Sequence, residues 1–304
     1  MTPEDGELMV IVNPAAHNLP PRRRLEAVDR WLREQGWRPE WRETNQPGEA
    51  TALAREAVER VLPLVIVAGG DGTLNEAANG LAGSETALAV IPAGTVNIWA
   101  KETGIPRKPL EAARLALTGG RRRVDLGLAG GRYFLLMAGY GLDGAIARRV
   151  SQGLKGRLGA TAYAIAAVRE ALGYRGTPMT LGLDGEEQSV DLLMLVAGNS
   201  RNYAGLVEIT SEAKADDGLL DVCVYQGKGT VDIVLHVLRT LLRRHRRSRK
   251  VLYRKVRRLE IKGRPLPVQL DGDAYDESPT TVTVAPAALW VVVRPGVRLP
   301  LFSE

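Results

Sequence analysis

The stretch that decides the fold is LPLVIVAGGDGTLNEAANGL, residues 62–81. An apolar run ends at Ala68, glycines stand at positions 69, 70 and 72, and a segment rich in helix formers (Leu74, Glu76, Ala77, Ala78, Leu81) follows at once. A strand that closes on glycines and opens a helix lets backbone N–H groups face an anion. The glycines permit close approach and positive φ, and the helix N-terminus adds partial positive charge. Asp71 is the exception, because a carboxylate beside a phosphate repels it unless a cation stands between them. The loop therefore suggests a nucleotide carried with Mg²⁺ rather than a bare phosphate. It is neither G-x-x-x-x-G-K-[ST] nor G-x-G-x-x-G, so neither common phosphate fingerprint applies. A plain β-to-α turn whose glycines serve packing is the alternative.

The surroundings repeat the same rhythm. Residues 8–12 (LMVIV), 38–41, 62–68 and 87–91 read as strands, and 22–35, 49–60 and 73–81 as helices between them. Alternation of this kind implies a largely parallel sheet with its site at the carboxyl ends of the strands, where Asn13, Gly69 and Gly94 all fall. After Arg123 the pattern changes to short strands punctuated by glycine, with an Ala-rich helix candidate at 160–172 and late strands at 267–270, 280–284 and 289–293. The expected fold is thus an N-terminal α/β nucleotide-binding domain over residues 1–124 and a mainly antiparallel β domain over 125–293. The tail 294–304 is expected to return to the first domain.

Composition narrows the class. With 304 residues and 45% hydrophobic content the chain has enough apolar surface for two cores. The N-terminus carries acid where a signal peptide carries base, and no apolar run approaches a membrane span, so a cytoplasmic protein is expected. One cysteine, Cys223, excludes an intrachain disulfide and a cysteine metal cluster. His17, His236 and His245 are scattered, which leaves carboxylates as ligands for a hard cation. The net charge of +6 is uneven, since Arg239 to Arg258 holds eleven Lys and Arg residues with almost no acid among them. A solvated charged face, nucleic acid and an anionic lipid surface all fit such a run.

GGDGTLNEAANGL, IPAGTVNIWAKETGIP (91–106) and KADDGLLD (214–221), in this order, resemble the diacylglycerol kinase and sphingosine kinase-like lipid kinase family, particularly its bacterial soluble members. The likeness spans nearly the whole chain and implies a β-sandwich for the second domain, ATP and Mg²⁺ as cofactors, and a lipid substrate. GGDGT by itself is shared with NAD kinases. The resemblance places Asn13, Pro14, Thr44, Gly69, Gly70, Asp71, Gly72, Thr73, Leu74, Asn75 and Thr95 at the nucleotide. Ala16 and His17 stand where the family has small residues, and Ile98 follows Asn97 where it often has Asp. Lys214 and Leu219 (by their carbonyls) and Asp217 (by its carboxylate) match a Mg²⁺ loop, for which a simple D-D-G turn is the bland reading. LDGDAYDESP (270–279) matches the segment carrying the general base, with Asp273 where Glu is usual and Asp271 two residues earlier; either could take the proton. Asp143 in AGYGLDGAIA matches a position near the acceptor lipid, or is a helix cap.

The implied activity is transfer of the ATP γ-phosphoryl group to a lipid hydroxyl, with Asp71 helping to organise the Mg²⁺-nucleotide and Asp273 or Asp271 as base. The basic segment would dock a soluble enzyme on an anionic membrane, and the sequence carries no nucleic-acid fingerprint. The alternatives are an NAD kinase, which does not account for DDGLLD or DGD, and a nucleotide-binding regulator without turnover. The lipid class and any oligomer stay open.

Overall fold

A computed structural model of the chain describes residues 6–153 and 169–303. The chain forms two compact units, Met1–Leu126 with Pro286–Glu304, and Gly127–Ala285.

In the first unit the elements follow in the order β1 (Glu7–Val12), α1 (Arg22–Glu34), β2 (Arg38–Glu43), α2 (Glu49–Glu59), β3 (Leu64–Gly69), α3 (Asp71–Leu81), β4 (Ala87–Pro92), α4 (Ile98–Glu102) and α5 (Pro109–Thr118). β2, β1, β3 and β4 lie side by side, all parallel, with Met9 opposite Val65 and Ile66 opposite Ala89. Every residue of β3 and β4 is buried. That pattern belongs to a parallel sheet covered on both faces and explains why LVIVAG and ALAVIP are continuous apolar runs rather than alternating ones. α1 packs on α5 and α2 on α3.

The chain passes into the second unit along β5 (Gly120–Ala129) and continues through β6 (Arg132–Phe134), β7 (Met137–Gly141), α6 (Leu142–Gly153), β8 (Thr177–Leu183), β9 (Glu186–Gly198), β10 (Asn202–Tyr203), β11 (Val207–Glu208) and β12 (Leu220–Gln226). Helix α7 (Thr230–Leu241), a 3₁₀ turn at His245–Arg247, and strands β13 (Val251–Val256), β14 (Arg258–Lys262), β15 (Val268–Leu270), β16 (Asp273–Tyr275) and β17 (Thr281–Val293) complete it. Neighbouring strands are antiparallel, and β9 serves both layers of a sandwich: its first half pairs with β8, its second half with β7 and β12. Tyr140, Leu181, Leu192, Val222, Leu259 and Val268 are among the buried residues of its core.

Two expectations change. The strands expected at 280–284 and 289–293 are one strand, β17. Pro286 reads as a break in the sequence, but the chain only bulges there: Ala287 takes φ 50° and its N–H donates to Asp125 at 2.7 Å. The acid-free look of Arg239 to Arg258 is a property of the sequence and not of the fold. Glu212, Asp232, Asp217 and Glu260 come from elsewhere to pair with Arg246, Lys250, Lys255 and Arg258. The Ala-rich helix candidate at 160–172 lies mostly outside the described residues.

Candidate active site

In the first unit the sheet brings four loops to one edge. Asn13 follows β1, Thr44 follows β2, Gly69 ends β3 and Gly94 follows β4. Asn13 donates its amide to the Thr73 hydroxyl at 2.8 Å, and its own carbonyl oxygen accepts from Ala15 N–H at 2.9 Å, which closes the VNPAA turn. Pro14 sits exposed at that turn. Buried Thr44 continues the ladder, its N–H donating to Val12 O at 2.9 Å. Gly70 and Gly94 face each other: a Cβ built on Gly94 would lie 2.6 Å from Gly70 Cα. The GGDGT and PAGT loops can meet this closely only because both positions lack a side chain. Asn97 closes the second loop on itself, accepting from Gly94 N–H at 2.8 Å and donating to Gly94 O at 2.7 Å. Asn18, near His17, donates to Gly94 O at 3.0 Å and so ties the first loop to this one.

α3 begins at Asp71, and Leu74 N–H already donates to Gly70 O at 3.0 Å. The backbone N–H groups of Asp71, Gly72 and Thr73 precede that first helical bond, so the helix supplies them no acceptor. Donors left in this way at a helix start are suited to an anion. Leu74 and Asn75 are buried, Leu74 in the core and Asn75 accepting from the Asn79 amide at 2.9 Å. Both thus help to hold the helix. Thr95 is exposed at the tip of the neighbouring loop.

Asp71 has a bracing role that the sequence alone does not suggest. Its two carboxylate oxygens accept from Ile98 N–H at 2.9 Å and Trp99 N–H at 3.2 Å, which caps α4. Burial pushes its carboxyl above the ordinary carboxylate value, against the opposing pull of those N–H groups and of Lys101. A carboxylate engaged in this way braces the two loops against each other, with one N–H bond on each oxygen. The replacement of Asp by Ile98 is harmless to that role, because only the backbone N–H of residue 98 is used.

In the second unit LDGDAYDESP forms the β15–β16 hairpin. Asp271 takes φ 51°, and its carboxylate accepts from three backbone N–H groups, those of Leu135 at 2.8 Å, Leu136 at 2.9 Å and Met137 at 2.8 Å. Asp273 is different: its side chain is 58% exposed and one oxygen lies 3.8 Å from Arg132. The alternation of a strand does not apply across Gly272, whose φ of 91° turns the chain between the two acids. Behind the hairpin runs a buried polar chain. Tyr203 donates its hydroxyl to one oxygen of Asp143, Gln269 donates its amide to the other at 2.8 Å, and Gly272 N–H donates to the Gln269 carbonyl at 2.6 Å. Asp143 is fully buried, so it acts on this turn rather than as an exposed contact or a helix cap. Sequence reasoning missed Gln269, Tyr203 and Arg132. A lone polar residue inside the apolar strand VQL was the available signal for Gln269.

KADDGLLD is a turn into β12. Asp217 accepts from Leu219 N–H at 3.1 Å through one oxygen and from Lys255 at 2.9 Å through the other. Lys255 also reaches Glu212 O at 3.1 Å and buried Asp221 at 3.6 Å. Burial lowers the affinity of Lys255 for its proton, but Asp217 and Asp221 outweigh it and hold the ammonium above its ordinary range. No cluster of three or more His, Cys, Asp or Glu residues of metal-site geometry occurs among the described residues. The Asp217 carboxylate and the carbonyls of Lys214 and Leu219 are hard oxygen donors of the chemical kind Mg²⁺ takes, and the Lys255 ammonium already holds one of the carboxylate oxygens.

Comparison with known proteins matches both halves of the chain. The model described as "Diacylglycerol kinase catalytic domain" matches residues 7–129, and the one described as "YegS C-terminal NAD kinase beta sandwich-like domain" matches residues 137–293. A protein of Chromohalobacter salexigens named "Probable lipid kinase YegS-like" is 33% identical over 300 residues, covering 97% of this chain and 96% of its own. "Diacylglycerol kinase" of Bacillus subtilis is 28% identical over 268 residues, covering 87% and 88%. A crystal structure of a diacylglycerol kinase from Bacillus anthracis superposes with a TM-score of 0.78 at 25% identity, covering 96% of this chain and 98% of that one.

Proposed function

Because the chain belongs to the diacylglycerol kinase and YegS-like lipid kinase family, and is thus a lipid kinase, we propose that it transfers the γ-phosphoryl group of ATP to a hydroxyl of a diacylglycerol-like or sphingoid-like lipid at a membrane surface. The observation that carries this reading is the meeting of Asn13, Gly70, Thr73 and Gly94 at the carboxyl edge of one parallel sheet, with three first-turn N–H groups left for phosphate oxygens. Thr95, exposed on the adjoining loop, is suited to a further nucleotide contact.

Of the two candidate bases we assign Asp273. Asp271 already accepts three backbone N–H bonds, whereas the side chain of Asp273 is 58% exposed and lies 3.8 Å from Arg132. Asp273 takes the proton of the lipid hydroxyl as the oxygen forms its bond to the γ-phosphorus and the bond to the β-bridging oxygen of ATP breaks, releasing ADP. Asp143 and Gln269 hold the turn that presents Asp273, and Asp71 holds the PAGT loop against the phosphate loop. Mg²⁺, bound by Asp217 with the carbonyls of Lys214 and Leu219, would supply positive charge to the site.

Incubating the protein with labelled ATP, Mg²⁺ and a panel of lipid alcohols tests this. Lipid-dependent label transfer is expected. Phosphorylation of NAD in place of lipid, or ATP binding with no transfer to any lipid, would refute it.

A further inference from the structure

Helix α7 is turned inside out. Its buried face carries Ile233, His236 and Thr240, while Val231 (75% exposed), Val234, Leu235, Leu238, Leu241 (62%) and Leu242 (65%) face solvent. Positions 231, 234, 235, 238, 241 and 242 keep the three-and-four spacing of a single stripe, roughly 120° wide at 3.6 residues per turn. Leu172, 67% exposed, adjoins it, since its carbonyl accepts from the Thr230 hydroxyl at 3.0 Å. Among the described residues nothing covers this stripe. A water-facing helix normally carries its polar residues outward, and a contiguous aliphatic strip of this kind marks an interaction surface.

The charges beside it say what the partner is. The chain leaves the helix through Arg243, Arg244, Arg247 and Arg249, none of which has a carboxylate partner among the described residues, in contrast to Arg246 and Lys250, which do. Aliphatic side chains flanked by free guanidinium groups are complementary to acyl chains beneath anionic headgroups, where long basic side chains can extend to the phosphates. At 12 residues the helix is too short to cross a bilayer, and no described helix is long and apolar enough to do so. We propose that α7 is an interfacial docking helix: its Val and Leu stripe lies in the outer layer of an anionic bilayer and the Arg243 to Arg249 turn grips the headgroups. The purpose rests on the lipid-kinase reading, but binding itself does not.

Flotation with vesicles of phosphatidylglycerol and phosphatidylcholine, without ATP or Mg²⁺, separates the two. The protein is expected to float with these vesicles and less with phosphatidylcholine alone. Leu238→Ser with Leu241→Ser should lower the partition by about tenfold or more while leaving the melting temperature and the turnover of a water-soluble short-chain lipid alcohol unchanged. Arg243→Gln, Arg244→Gln and Arg247→Gln together should abolish the preference for anionic vesicles. As an independent readout, Leu238→Trp should show emission quenched by lipids brominated in their acyl chains, measured above the background of the five native tryptophans, all of which lie in the first unit. Unchanged flotation of the leucine variant, an unquenched Trp at 238, or sedimentation showing a dimer that the leucine variant dissolves would each overturn the proposal. Loss of lipid phosphorylation with flotation intact would count against the kinase reading alone.

Discussion

Replacing Asp271 and Asp273 one at a time by asparagine should separate a residue that builds the turn from one that uses it. Asp271 accepts N–H bonds of 2.8, 2.9 and 2.8 Å, with Leu136 and Met137 sharing one oxygen and Leu135 on the other. Asparagine tolerates the φ of 51° and can keep its carbonyl on the shared pair, but its amide then meets the Leu135 N–H donor to donor. One charge-assisted bond is lost, the remaining two weaken to neutral ones, and a donor is left unpaired. Together these cost about 2–4 kcal/mol. In a unit of this size such a loss lowers the melting temperature by roughly 5–12 °C. Asp273, 58% exposed and 3.8 Å from its cation, gives up almost nothing on the same change, within about 0.5 kcal/mol. Its cost is expected in turnover, about 10²- to 10⁴-fold, with ATP affinity kept. Thermal unfolding and steady-state kinetics on both variants read the contrast. If Asp273→Asn turns over at the native rate, or if Asp271→Asn melts like the parent while turnover collapses, the division of labour between the two acids is wrong.

Two further changes probe other parts of the molecule. Gly94→Ala places a methyl 2.6 Å from Gly70 Cα and should raise the KM for ATP severalfold at a stability cost of about 1–3 kcal/mol, visible in a nucleotide titration; an unaltered titration would mean the loops are not held at this spacing for the nucleotide. On and beneath the buried face of α7, His236 donates to Gln226 O at 2.8 Å and His245 to Ile209 O at 3.1 Å; burial holds both rings below the ordinary value of 6.5, and the second nitrogen of each has no partner among the described residues. The unfolded chain therefore takes up these protons first as the pH falls through about 6.5, so stability is full above that value and declines on acidification towards the lower folded values. Urea unfolding midpoints should drop over this range and drop less in His236→Gln with His245→Gln.

The fold was legible because its signals are local. LVIVAG and ALAVIP are apolar throughout, as strands covered on both faces must be, and the glycines after residue 68 fix where the strand stops and the helix starts. The strand break expected at Pro286 was misread because a bulge held by a buried carboxylate 162 residues away leaves the same local trace as a turn. The basic run looked unopposed because its acids are distant in sequence, Lys255 meeting Asp217 across 38 residues. The outward face of α7 could not be seen either. VDIVLHVLRTLL has apolar residues on every side, so its spacing does not say which stripe faces the core, and it is Ile233, His236 and Thr240 that are buried.

The acids of the two signature loops show why type and spacing find a site more readily than they assign its roles. Asp71 stood out because an acid beside the phosphate-loop glycines repels phosphate, and Asp271 because its segment matches the one that carries the general base. Each instead accepts backbone N–H groups donated by a segment distant in sequence, 27 and 28 residues for Asp71 and 134 to 136 for Asp271. Small glycine loops bury little apolar surface and cannot be held by packing, so charge-assisted bonds to backbone donors are the means available to fix them. An acid recruited to that task has its lone pairs committed and is poorly placed to take a proton. On the proposed assignment, Asp273, the acid left exposed by the braced turn, is the one whose carboxylate changes partners during the reaction. Exposure and hydrogen-bond commitment distinguish the two kinds of acid, and neither is written in the spacing of D-G-D.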